Sequence, residues 1–170
     1  VVDSAEALFQ LPQLDAVFIS LPIDQQPRYV LKALKAGKHV LSEKPIAPNL
    51  KAGQALLKAA APYQRRGLKW LVGENYAFMP HALKAMDWLA AGALGDVRLA
   101  EVRQTNFLTP ATPYYHTDWR RQPRFVGGFV LDAGVHLAHL LRRIFGMPLE
   151  LKSLQPRFNP PLPPWDTPLA

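Results

Sequence analysis

Apolar residues in the first 75 positions form short continuous runs that alternate with stretches of helical spacing. Residues 14–21, 38–42 and 69–72 are short apolar runs, of the length of strands buried inside a sheet. Residues 26–36 and 49–64 instead place apolar side chains on one helical face, and a glycine that can end a helix follows each closely. Strands and helices that alternate with short links predict a parallel sheet with right-handed crossovers. This part of the chain is therefore predicted to be α/β.

The second half of the chain has a different pattern. Residues 80–91 and 128–145 predict helices, whereas the moderate alternation of residues 97–107 predicts a strand with one face against helices. We therefore expect part of an α+β domain with an open sheet in residues 76–170, after a parallel-sheet domain in residues 1–75.

Three further segments complete this second domain. Residues 108–126 contain three prolines and predict a long loop. Residues 149–157 predict another strand. The tail from residue 159 is rich in proline and is expected to be extended or disordered.

Composition excludes several classes of protein. Of the 170 residues, 49% are hydrophobic and 19% are charged, as in ordinary globular proteins. The absence of cysteine excludes disulfides, thiolate–metal sites and cysteine nucleophiles. No apolar run approaches the roughly 20 residues of a membrane span, and the N-terminus lacks the pattern of a signal peptide, so we expect a cytoplasmic protein. Basic residues stand singly or in pairs within a net charge of +7, which favours a solvated surface or an anionic cofactor over nucleic acid.

The segment Gly37–Pro45 carries the first candidate chemistry. Gly37 can end the preceding helix, and Glu43, Lys44 and Pro45 follow the carboxyl end of the next strand. Ligands bind at that end of open α/β sheets, so Lys44 is a functional candidate. From these residues alone, a solvated Lys44 paired with Glu43 is the simpler interpretation.

Asp132 and His136 form the second candidate group, because residues four apart share a helical face. A histidine suits proton exchange near neutral pH, and a carboxylate can orient it. His139 lies on the same face, and His116 could complete a tetrahedral zinc site. Metal binding therefore stays open as an alternative, although helical spacing brings such residues together by chance.

Two signatures in these segments resemble a known family. Ala36–Pro45, preceded by Asp15–Pro22, closely resembles the first signature of the glucose–fructose oxidoreductase / inositol dehydrogenase / MocA family of NAD(P)-dependent enzymes. Gly127–His136 resembles its second signature, and Trp119–Arg120 resembles a family pair near the cofactor and substrate. The resemblance covers roughly residues 14–146.

The resemblance implies a partial Rossmann-type domain and a hydride transfer between NAD or NADP and a sugar, polyol or related hydroxy compound. The implied catalytic residues are Lys44, Asp132 and His136. The implied cofactor-binding residues are Ser20, Leu21, Pro22, Glu43, Lys44, Pro45 and Asn75. The implied substrate-binding residues are Lys44, Trp119, Arg120, Asp132 and His136. A homo-oligomer formed through the second-domain sheet is also implied, without membrane or nucleic-acid partners.

The chain departs from the family pattern at three places. It contains no Gly-x-Gly-x-x-Gly loop for phosphate, and it begins with valine, so we expect a fragment of a longer protein. Gln26 stands where a histidine is common, and His139 stands where aspartate is usual. A truncated, non-catalytic dimerisation scaffold is therefore a further alternative. The choice between NAD and NADP stays open, because the residues that distinguish them precede this segment in the family.

Overall fold

The computed structural model describes residues 1–103 and 109–152, which divide into two compact units. The first unit comprises Val1–Glu74 together with Arg124–Gly127. The second comprises Asn75–Pro123 and the residues from Gly128 onward.

The first unit is a three-stranded parallel sheet with helices between its strands. Its elements are α1 (Ala5–Phe9), β1 (Ala16–Ile19), α2 (Gln26–Lys35), β2 (His39–Ser42), α3 (Leu50–Arg65) and β3 (Trp70–Val72). The strand order is β1-β2-β3, and both neighbouring pairs are parallel. The predicted α/β class is confirmed, although β1 is shorter than the predicted run of residues 14–21.

Local signals begin and end the helices of this unit. The Ser4 hydroxyl accepts a hydrogen bond from the Ala7 amide at 3.0 Å, which caps α1. The Asn49 side chain likewise accepts from the Ala52 amide at 2.9 Å and caps α3. After α2, Gly37 has a φ of 77°, the left-handed conformation that commonly follows a helix.

The core of the first unit lies on one face of its sheet. Val17, Ile19 and Val40 are buried against α2 and α3, and Trp70 of β3 joins the same core. The opposite face is exposed: the paired side chains Phe18, Leu41 and Leu71 are 60%, 42% and 64% exposed. The prediction of strands buried on both faces is therefore wrong for the described residues, because the helices pack on one side only.

One prediction about α3 also needs correction. The apolar spacing of residues 49–64 predicts Leu57 on the inner face of this helix with Leu56 and Ala60, yet its side chain is 53% exposed. Leu56 and Ala60 are buried, at 2% and 0% exposed, and Gly53 is buried with them. The helix is thus rotated so that residues 53, 56 and 60 face the core.

The second unit is helical in its described residues. Its elements are a 3₁₀ helix (Asn75–Phe78), α4 (Pro80–Ala90), a second 3₁₀ helix (Pro113–His116), α5 (Asp118–Arg121) and α6 (Gly128–Phe145). The predicted helix of residues 128–145 has the predicted bounds. The predicted loop of residues 108–126 carries two short helical segments in its described part.

The strands predicted for this second unit are not observed in its described part. Residues 97–103 and 149–152 form no strand, and the remainder of both predicted strands lies outside the described residues. A strand requires a neighbour to satisfy its backbone N–H and C=O groups, and no described residue of this unit supplies one. Val97 and Leu99 are accordingly 44% and 87% exposed.

In residues 1–103 and 109–152, no helix combines the length and apolar character that crossing a bilayer requires.

Candidate functional site

The carboxyl ends of β1 and β2 lie side by side and bring two predicted segments together. Ile19 of β1 pairs with Ser42 of β2. The Glu43 amide donates to the Ile19 carbonyl oxygen at 2.9 Å, which continues the pairing one residue beyond the strand. The segments Ser20–Pro22 and Glu43–Pro45 therefore leave the sheet at the same edge, where parallel sheets bind ligands.

Hydrogen bonds hold the segment around Lys44 at several points. Ser42 is 0% exposed, and its hydroxyl accepts from the Trp70 indole N–H at 2.9 Å. The Gly73 amide donates to the Ser42 carbonyl oxygen at 2.8 Å. The Gln26 side-chain amide donates to the Pro45 carbonyl oxygen at 3.1 Å. Lys44 lies between these fixed points, is partly exposed, and is joined to Pro45 by a cis peptide bond.

In the second unit, α6 carries both Asp132 and His136. Asp132 is 6% exposed, and its Oδ2 accepts from Arg120 Nε at 2.7 Å. Arg120 also donates from Nη1 to the Thr117 hydroxyl at 3.0 Å. Because both charged side chains are largely withdrawn from water, this ion pair is less screened than a surface pair.

Aromatic rings surround the Arg120 guanidinium. Its central carbon lies 4.1 Å from the centroid of the Trp119 ring and 5.0 Å from that of Tyr114. Arginine stacks favourably on such ring faces. Arg120 thus connects the segment before α6 to Asp132.

His136 is held by an aromatic contact that the sequence did not predict. Its ring stacks on Tyr76 of the first 3₁₀ helix, with centroids 4.4 Å apart and planes at 16°. Nearby on α6, Arg143 donates to the Ala77 carbonyl oxygen of that 3₁₀ helix at 2.8 Å. The sequence signal that could have found Tyr76 is its position next to Asn75, which the resemblance implies as a cofactor-binding residue.

The predicted site residues are divided between the two units. Lys44 and the segments Ser20–Pro22 and Glu43–Pro45 belong to the first unit. The second unit contains Trp119, Arg120, Asp132 and His136, together with Asn75, which is exposed and begins the first 3₁₀ helix. Within the second unit, Arg120 contacts both Asp132 and Trp119, an arrangement that the sequence did not predict.

The metal alternative has no geometric support in the part of the chain that the structure describes. Residues 1–103 and 109–152 contain no group of three or more histidine, aspartate or glutamate side chains placed to hold an ion. His116, the predicted fourth ligand, contacts the Pro110 carbonyl oxygen through Nε2.

The edge of the first unit suits a polar cofactor. Ser20 is exposed directly after β1, and the partly exposed Lys44 follows β2 at the same edge. A hydroxyl and an ammonium group at the carboxyl ends of parallel strands can bind the ribose and amide groups of a nicotinamide nucleotide. The donor set therefore fits such a cofactor.

Comparison with protein families gives two matches in order along the chain. Residues 1–69 match the model described as an oxidoreductase family with an NAD-binding Rossmann fold. Residues 82–167 match the model of the GFO/IDH/MocA C-terminal domain. Together the two models cover most of the chain.

Individual relatives agree with these models. The chain is 35% identical over 154 residues to a dTDP-3,4-didehydro-2,6-dideoxy-alpha-D-glucose 3-reductase of Streptomyces violaceoruber, covering 89% of this chain and 42% of that protein. An oxidoreductase structure from Thermotoga maritima is 30% identical with a TM-score of 0.83, covering 97% of this chain and 50% of that one. A scyllo-inositol dehydrogenase structure from Lactobacillus casei, with bound NAD(H) and scyllo-inositol, is 31% identical with a TM-score of 0.51, covering 55% and 27%. The chain spans about half the length of the curated relatives it matches.

Proposed function

Because this chain belongs to the GFO/IDH/MocA family of oxidoreductases, we propose that the full-length protein transfers a hydride between a nicotinamide cofactor and a sugar, polyol or related hydroxy compound. Membership of the family confirms the resemblance predicted from the two signatures. The observation that carries the proposal is the order of the matches, since the NAD-binding model includes Lys44 and the C-terminal model includes Asp132 and His136.

His136 is proposed to exchange the proton of the reacting hydroxyl group. Oxidation of an alcohol by hydride loss requires a base to take this proton as the carbonyl forms, and histidine suits that task near neutral pH. The stack on Tyr76 supports the proposal, because it restrains the plane of the imidazole ring. The ring nitrogens lie in that plane, so the direction of proton transfer is restrained as well.

Asp132 is proposed to support His136 electrostatically. It lies one helical turn before His136, and it forms an ion pair with Arg120. A fixed negative charge near an imidazole stabilises the cation that proton uptake creates. The prediction that Asp132 orients His136 directly stays a prediction.

Lys44 is proposed to donate a hydrogen bond to the reacting oxygen. An ammonium group stabilises the negative charge that develops on a carbonyl oxygen during reduction. The nicotinamide ring supplies the hydride chemistry when it is bound. Ser20, Leu21, Pro22, Glu43, Pro45 and Asn75 are proposed to help bind NAD(H) or NADP(H).

The proposed substrate class is supported by relatives that act on similar compounds. The names of the Streptomyces reductase and the Lactobacillus dehydrogenase specify a nucleotide-linked sugar and an inositol. Trp119 and Arg120 are proposed to contact the substrate. We further propose a cytoplasmic protein that forms homo-oligomers through its second domain, an assembly that sedimentation of the purified protein tests.

Two replacements in the full-length protein test the catalytic proposal. Lys44→Met and His136→Ala should each lower turnover by about 10²–10⁴-fold, because each removes a group acting on the reacting oxygen or proton. Cofactor affinity, measured by titrating NADH or NADPH fluorescence, should change far less than turnover, because Lys44 supplies only one of the proposed cofactor contacts and His136 supplies none. The double variant should lose far less than the product of the single losses, since the two groups act together.

Matched controls use exposed residues of the same type. Lys51→Met at the start of α3 and His81→Ala in α4 make the same chemical changes at exposed positions. Both should retain the turnover of the parent protein. Turnover within about twofold of the parent in Lys44→Met and His136→Ala would refute their catalytic roles. Failure to bind either cofactor at millimolar concentration would refute the whole proposal.

A further inference from the structure

Gln26 contacts the residue next to Lys44 although α2 carries none of the predicted catalytic groups. It is the first residue of α2 and is 1% exposed. Its Nε2 donates to the carbonyl oxygen of Pro45 at 3.1 Å, across a separation of 19 residues. Because Lys44 and Pro45 share a peptide bond, this contact fixes the backbone on the carboxyl side of Lys44.

The oxygen atom of the Gln26 side-chain amide has a different environment from the nitrogen atom. Its Oε1 is buried and has no hydrogen-bond partner among residues 1–103 and 109–152. Rotating the amide would place Oε1 against the Pro45 oxygen, so the hydrogen bond to Pro45 determines its orientation. A methionine of similar length would remove this unsatisfied oxygen, but it would leave the buried Pro45 carbonyl oxygen without its donor from Gln26. Because one unsatisfied acceptor would replace another, the net gain in stability from glutamine at this position is small.

The amino side of Lys44 is fixed independently. Ser42 is held by the Trp70 indole N–H and by the Gly73 amide, at 2.9 Å and 2.8 Å. Gln26 is itself anchored, because its backbone amide donates to the Pro22 carbonyl oxygen at 3.2 Å. Pro22 follows β1 at the same sheet edge. Gln26 thus links the two chain segments that leave this edge.

We propose that Gln26 is a positioning residue for Lys44, whose side-chain amide fixes the Pro45 carbonyl and thereby sets the place of the Lys44 ammonium group. The inference rests on the proposed function, because it takes Lys44 as the donor to the reacting oxygen. Gln26 acts through the backbone and contacts neither substrate nor cofactor in this role. Small displacements of a catalytic group lower turnover strongly, so the loss of one such bond has a measurable effect.

The test compares Gln26→Met with Gln25→Met in the full-length protein. Gln25 is the neighbouring residue, exposed and without a side-chain cap contact, so it provides the same chemical change as a control. Gln26→Met should lower kcat by about 10- to 100-fold. Its affinity for NADH should stay close to that of the parent. Its urea unfolding midpoint should also stay close, because one unsatisfied buried acceptor replaces another. Gln26→His, whose ring N–H can donate to the same oxygen, should retain more turnover than Gln26→Met.

A second measurement keeps the proposal testable without turnover. Acetic anhydride acetylates lysine side chains, and the acetylation rate of Lys44 can be divided by that of Lys51 in the same digest. This acetylation ratio should change in Gln26→Met and stay the same in Gln25→Met. If Lys44→Met leaves turnover unchanged, the proposed function fails, and the acetylation ratio alone decides the role of Gln26. Unchanged turnover and an unchanged ratio in Gln26→Met would overturn the inference. Equal losses in the methionine and histidine variants would also overturn it, since the hydrogen bond would not be the cause.

Discussion

Replacement of Arg120 by methionine should destabilise the second unit by removing a charged partner of the buried Asp132 carboxylate. Arg120 Nε lies 2.7 Å from Asp132 Oδ2, and the two side chains are 14% and 9% exposed. Removal of one member of a buried pair costs about 3–5 kcal/mol, because the other charge stays desolvated. Since both side chains keep a little contact with water, we expect the lower value of about 3 kcal/mol.

Arg98 provides a matched control in the same unit. Its Nη2 lies 3.1 Å from Asp96 Oδ2, but both side chains are 86% exposed. Arg98→Met makes the same change of charge and shape, and should cost less than about 1 kcal/mol because water screens the pair. Burial is the difference between the two pairs.

Hydrogen exchange of the α6 amides measures this effect within one unit. A loss of about 3 kcal/mol corresponds to exchange about a hundredfold faster in peptides from α6. The double variant Arg120→Met with Asp132→Leu should recover much of the loss, because an apolar pair needs no charge compensation. If Arg120→Met accelerates exchange no more than Arg98→Met, the ion pair does not stabilise α6 and the reasoning is refuted.

The remaining predictions concern the first unit. The hydrogen bond from Lys32 lowers the pKa of Glu6 below its usual value of 4.5. This contact should therefore contribute to stability fully above that pH and lose its effect as pH falls through the lowered pKa. The difference in urea midpoint between the parent and Glu6→Gln should accordingly vanish in acid, and a difference independent of pH would contradict this assignment. Gly37→Ala should lower the free energy of unfolding by about 1 kcal/mol, because φ is 77° at this position. Gly53→Ala inside α3 should instead raise it by about 0.5–1 kcal/mol. The new methyl group at residue 53 meets only ordinary contacts with Ala47 and Ile46. Thermal unfolding of the two variants decides this, and a shift of the same sign in both would refute it.

The regular elements were determined largely by local sequence. The helix Gly128–Phe145 has its predicted bounds, and Asn49 caps α3 as its side-chain chemistry indicates. The strand His39–Ser42 also lies where its short apolar run predicts. These features depend on the periodicity and end signals of neighbouring residues, so the sequence contains them directly.

The faces of these elements depend on what packs against them. Leu57 has the spacing of an inner residue of α3, yet it is 53% exposed because the helix meets the sheet through its neighbours. Phe18 and Leu41 are apolar and exposed because α2 and α3 cover only the other face. Residues 97–103 alternate like a strand and form none, since no described residue of the second unit pairs with them.

The candidate site shows the same division between local pattern and tertiary contact. The signatures predicted Lys44, Asp132 and His136 as site residues, because a motif of residue types is local. Their partners come from distant segments: Gln26 reaches Pro45, Arg120 pairs with Asp132, and Tyr76 stacks on His136. Such contacts depend on how the chain folds back on itself, which no local period encodes. The sequence by itself thus determined which side chains are available for chemistry, and only the tertiary structure decided what holds each of them in place.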